Sequence, residues 1–77
     1  MTTLKVVCNE KRVRKHWDAS KGLLGGVTLN PVTGGSEENK RFFDATPAGE
    51  IRFETMNEEA LAEFEPGEEY IVTIERV

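Results

Sequence analysis

Only one cysteine, one histidine and one tryptophan occur among the 77 residues. A single cysteine excludes an intrachain disulfide. Val6 and Val7 place Cys8 in a core strand, where a lone thiol packs as a small hydrophobe. As a nucleophile it would need a histidine base, and no spacing brings His16 to it. One His and one Cys do not compose a zinc site. The acidic pairs Glu37-Glu38, Glu58-Glu59 and Glu68-Glu69 lack the spacing of a calcium loop and read as helix-start and turn charges. "GGSEENK" leads glycines into a helix start, but Glu37 and Glu38 would repel a phosphate, and no Walker lysine-serine pair follows. No carboxylate stands alone in an apolar stretch, as a tuned general acid would. The expectation is a non-enzyme with no catalytic residues, no metal and no cofactor. Apolar runs are too short for a signal peptide or a membrane span, which predicts a soluble intracellular protein in a reducing compartment.

A chain of 77 residues makes one domain, residues 1–77. So small a domain buries a modest fraction of its surface, and oligomerisation is a common remedy that can also build a pocket between copies. The net charge of −4 is unevenly spread. Residues 1–35 hold six Lys/Arg and two Asp/Glu, a balance of +4, whereas residues 36–77 hold four and twelve, a balance of −8. This asymmetry can orient the protein towards a charged partner or set copies head to tail. Alternatively, strands from the two halves interleave and the charges mix.

Hydrophobic periodicity then orders the chain. "TLKVVC" alternates as a strand that continues towards Trp17. Gly25-Gly26 in "LLGGVTLNPV" suggests a bulge or tight bend, and Pro31 marks an edge or an end. Ser36 reads as the cap of a short helix that takes Phe42 or Phe43 into the core and stops before Thr46-Pro47. "EIRFET" is a half-buried strand, with Ile51, Phe53 and Thr55 on its apolar side. Asn57 caps a second helix, with Met56 and Leu61 placed as a hydrophobic staple. "EYIVTIERV" is apolar on both sides and reads as a central strand. The fold class is α+β: a small curved antiparallel sheet or partly open barrel in the order β-β-α-β-α-β, with two short helices. Ile51, Phe53, Phe64, Tyr70, Val72 and Ile74 are the expected core.

"KRVRKHWD", Lys11 to Asp18, gathers four cations, the histidine and the tryptophan. On a strand, Val13, Lys15 and Trp17 share one face, and Arg12, Arg14 and His16 the other. The cationic row could grip an anion such as a nucleotide, with arginine forks as donors, His16 adding one when protonated and Trp17 stacking on a base. It could instead meet an acidic protein. It could also be a solvated strand face whose cations protect an edge, with Trp17 in the core. The acidic chain makes nucleic acid an unfavoured partner.

"NKRFFDATPAGEIRFETMNEEALAEFEPGEEYIVTIE", with "KHWD" and "GVTLNPVTGGSEENK", resembles a group of small uncharacterised proteins of tailed bacteriophages. The shared pattern is Phe42, Thr46-Pro47, Gly49, Asn57-Glu58, Phe64, Pro66-Gly67 and Tyr70. The resemblance implies a phage-encoded protein in the cytoplasm of an infected bacterium and transfers no functional residue. The function expected is stoichiometric binding in host takeover or anti-defence. Such a protein would sequester a nucleotide-like ligand or mask a host protein, through Arg12, Arg14, His16 and Trp17, as a homo-oligomer without membrane contact. The competing expectation is a minor virion or assembly component that packs through its edge strands.

Overall fold

The computed structural model describes residues 1–77, Ala19 by its backbone only. In chain order come β1 (Thr2–Lys15), a single 3₁₀ turn (Ala19–Lys21), β2 (Leu23–Pro31), α1 (Glu37–Ala45), β3 (Ile51–Thr55), α2 (Glu58–Ala62) and β4 (Glu69–Ile74). The strands form one antiparallel sheet in the order β3-β2-β1-β4. This is the expected α+β order, with the sheet left open rather than closed.

Alternation places the core on one face. Val6 lies opposite Tyr70, Leu4 opposite Val72, Cys8 opposite Leu29, Leu29 opposite Ile51, and Val27 opposite Phe53. Val6, Cys8 and Leu29 are buried at the centre, and Leu4, Ile51, Phe53, Phe64, Tyr70 and Val72 surround them half-buried. Phe64, just past α2, meets Phe53 edge-on at 5.6 Å and Tyr70 at 5.0 Å between ring centroids. The Tyr70 hydroxyl donates to the Glu63 carbonyl and accepts from the Glu65 N–H, both at 2.9 Å. Together these contacts fasten the segment after α2 to the sheet.

Both helix starts follow the cap chemistry of the sequence. Ser36 Oγ accepts from the Asn39 N–H at 3.0 Å, and Asn57 Oδ1 accepts from the Glu59 and Ala60 N–H groups. α1 does not carry a phenylalanine into the central cluster, because Phe42 and Phe43 are only half-buried. Its buried residue is Asn39, whose amide donates to the Gly34 carbonyl and to Glu69. Lys5 bridges to Glu38 at 3.0 Å and Glu69 at 3.6 Å from the same side. α1 is therefore held to β1 and β4 by polar contacts on the face opposite the core.

Two further expectations are corrected. β4 is an edge strand, and Ile74 is 54% exposed. β1 is long enough to pair with β4 over Thr2–Val7 and with β2 over Val6–Lys15, so β1 takes the central place that β4's apolar pattern suggested. The bulge falls between Cys8 and Glu10, not at Gly25-Gly26. Those glycines sit in regular ladder positions opposite Val13 and Arg12. Side chains pack closely over them: a Cβ on Gly25 would run into Leu61, and one on Gly26 would lie 2.9 Å from Arg12 Nη2.

Beyond Val7, β1 has a strand partner on one side only. Fourteen residues at about 3.3 Å each span about 46 Å, and the longest dimension of the molecule is 46 Å. The fold is thus a small sheet with one end of a hairpin reaching past it.

Candidate functional site

"KRVRKHWD" occupies that projecting end. The bulge at Asn9 resets the alternation, so Lys11, Val13 and Lys15 continue the core face, while Arg12 and Arg14 lie on the opposite one. Arg14 donates from Nε and Nη2 to the two carboxylate oxygens of Glu54 at 2.7 and 2.9 Å, a two-pronged pair across the hairpin onto β3. Arg12 Nη1 donates to Thr28 Oγ1 at 2.8 Å and to Glu10 at 3.2 Å. Arg52 pairs with Glu50 at 2.9 Å on the same face. Three arginines and three glutamates therefore pair on this face. The Glu54 bond, then its charge, holds Arg14 above the ordinary arginine value, with burial opposing.

His16 differs from its expected placement, and Trp17 from one of its two. β1 ends at Lys15, and the chain turns at His16. His16 does not share the arginine face: it is buried, and its Nδ1 accepts the Asp18 N–H at 2.9 Å. An imidazole that accepts at Nδ1 bears its proton on Nε2, so this ring orders the turn instead of offering a charged donor to an anion. Asp18 completes the turn by accepting from the Ser20 hydroxyl at 2.7 Å and its N–H at 3.0 Å, bonds that lower its carboxyl below the ordinary range. Of the two placements expected for Trp17, stacking on a base or packing in the core, the core one is overturned: Trp17 stands 78% exposed, stacked on the buried His16 at 4.0 Å between centroids. A strand that ends two residues earlier, at Lys15, frees Trp17 from the sheet.

The core face of the projecting end carries a feature that the sequence reading missed. Val13, Leu23, Gly25, Thr55, Met56, Glu58 and Leu61 line an open cleft of about 180 Å³. Val13 is 59% and Leu23 65% exposed, although both are apolar. Register brings Val13 opposite Gly25 and Lys15 opposite Leu23, and α2 supplies Leu61 from above. Residue spacing alone could not join Val13 to Leu61, because four separate elements, β1, β2, β3 and α2, meet there. Met56 and Leu61, the expected staple pair, both point to this cleft, which remains open between them.

Among the described residues no three His, Cys, Asp or Glu side chains converge as metal ligands, and no helix is long and apolar enough to cross a membrane. Fold and site together define a small α+β domain with an exposed apolar cleft and a strand end that is paired on one side only. Comparisons with protein families, with characterised proteins and with solved structures find no match to this chain.

Proposed function

We propose that the protein is a non-enzymatic binding protein that captures a partner protein stoichiometrically through the projecting end of the β1–β2 hairpin. The observation that carries this reading is the exposure of Trp17, Val13 and Leu23 at one end of the molecule, beside an open apolar cleft. Large apolar side chains gathered in the open mark interaction surfaces in soluble domains. Partner capture ranks ahead of a nucleotide-like ligand, because Arg12 and Arg14 already hold Glu10, Thr28 and Glu54 and His16 is turned inward. The phage resemblance supports a host-takeover or anti-defence role in the cytoplasm of an infected bacterium, with a host protein masked. Mass spectrometry of what co-purifies from infected cells tests the reading. Wild type should retain a partner that Trp17→Ser with Leu23→Ser releases. Capture that survives this double variant and disappears with Arg12→Glu and Arg14→Glu would move the site to the arginine face.

One observation favours a second reading, an assembly component that packs as a homo-oligomer. β4 is an edge, and Ile71 on it is 55% exposed. An apolar, unpaired edge is a template for another chain.

A further inference from the structure

We propose that β1 accepts an added strand along its open edge at Lys11, Val13 and Lys15, and that the added strand is an extended acidic segment of a partner protein with one large apolar side chain seated in the neighbouring cleft. This rests on the partner-capture reading and names the partner's chemistry.

The edge is set by ladder parity. His16 N–H donates to the Gly22 carbonyl at 3.1 Å, towards β2. Antiparallel ladders alternate, so Arg14 and Arg12 also turn their backbone groups to β2. Lys11, Val13 and Lys15 turn theirs the other way. On that side β4 pairs only with Thr2–Val7, and the last bonds across are Cys8 N–H to Glu68 O and Gly67 N–H to Cys8 O. Among the described residues no strand pairs with β1 beyond these. Lys11 to Lys15 covers about 13 Å, room for a short added strand.

Side chains on the same face state what that strand should carry. Val13 lies between Lys11 and Lys15 and opens onto the cleft with Leu23, Met56 and Leu61. A cavity of roughly 150 Å³ accommodates a benzene ring; this cleft, about 180 Å³, suits one aromatic or large aliphatic side chain. Lys15 has no ion pair among the described residues, and Lys11 makes a single long one, 3.9 Å to the exposed Glu65. In a strand laid opposite, the complementary pattern is acid, spacer, apolar, spacer, acid. Cations on an edge also repel a second copy of the same edge, so they leave it open to an acidic strand while guarding against self-pairing.

The probe is a labelled nine-residue peptide with Glu-Thr-Phe-Thr-Glu at its centre, titrated against the full chain by fluorescence anisotropy. Hydrogen exchange is followed in parallel. Binding should protect the Lys11, Val13 and Lys15 amides and leave those of β3 unchanged. A peptide with Ser in place of Phe should bind about tenfold or more weakly, as loss of one buried apolar anchor implies. Lys15→Glu should weaken binding similarly. Val13→Pro removes an outward N–H that β2 does not use and should abolish it. Because the Ser peptide leaves the protein untouched, the test stands even if Val13→Pro does not fold. No binding at millimolar peptide, or binding without protection of these amides, overturns the added strand. The same amides protected in the free protein by self-association would also overturn it, by making a second copy the occupant. If the peptide fails while Trp17→Ser with Leu23→Ser still releases the cellular partner, the added strand falls and partner capture stands.

Discussion

Arg14 and Glu54 join strands that sequence places 40 residues apart, and their geometry has a pH consequence. The Arg14 hydrogen bond first, then the arginine charges, hold Glu54 below the ordinary value of 4.5, with burial opposing. A carboxylate whose folded value is depressed adds stability above its unfolded value and loses it as pH falls through the folded one. Wild type should therefore melt above Glu54→Gln at pH 7, and the gap should close as the pH falls below about 4. A gap of the same size at pH 3 would show that the ion pair is not its source. Gly25 offers a second test at this scale. Its backbone is unstrained for other residues, so Gly25→Ala acts through space alone, by crowding Leu61. We expect a loss of about 1–2 kcal/mol in urea unfolding. Leu61→Ala should absorb most of the clash. Strict additivity of the two changes would disprove the contact.

Elements depend on each other most clearly where α2 meets the sheet. A helix of five residues is too short to be stable alone, so tertiary packing holds it. Asn57 supplies the cap, and Phe64 supplies the anchor between Phe53 of β3 and Tyr70 of β4. Phe64→Ala should lower unfolding stability by about 3 kcal/mol, the lower end for a buried phenylalanine because this one is half-buried. Loss of that anchor should also open the cleft, since Leu61 and Phe64 leave together. A Phe64→Ala protein with wild-type melting would place the core elsewhere. α1 works differently. Its buried group is the Asn39 amide, whose Nδ2 donates to Gly34 and Glu69, so directed bonds fasten this helix alongside the half-buried Phe42 and Phe43.

Across the whole molecule the charge asymmetry is partly met inside one copy. Lys5 pairs with Glu38 and Glu69, Lys11 with Glu65, and Arg14 with Glu54, each joining the cationic half to the acidic half. Interleaved strands mix the charges, which weakens the reason for copies to attract head to tail. Any homo-oligomer should then rest on the apolar β4 edge, where Ile71 and Ile74 are exposed. Light scattering should report the same mass from low salt to about 1 M, where the Debye length is about 3 Å, and Ile71→Lys should give a monomer. Dissociation by salt would restore an electrostatic contact. A monomer at micromolar wild-type concentration would remove the assembly reading.

Local chemistry was legible from residue order: the Ser36 and Asn57 caps, the alternation of "EIRFET", the end of β2 at Pro31 and the order of the elements. Each depends on neighbours within about four positions, where periodicity and hydrogen-bonding side chains act directly. Pairing was not legible. Which strand lies in the middle depends on how many residues two distant segments bury together, and β4's apolar pattern fits a centre or an edge equally well. A one-residue bulge at Asn9 and a strand that stops at Lys15 decided which side chains share a face. They turned His16 inward, left Trp17 outside and paired Arg14 with Glu54. They also set Val13 beside Leu23, Met56 and Leu61. Side chains from four elements reach that cleft only after the backbone register is complete, so tertiary contact alone could place it.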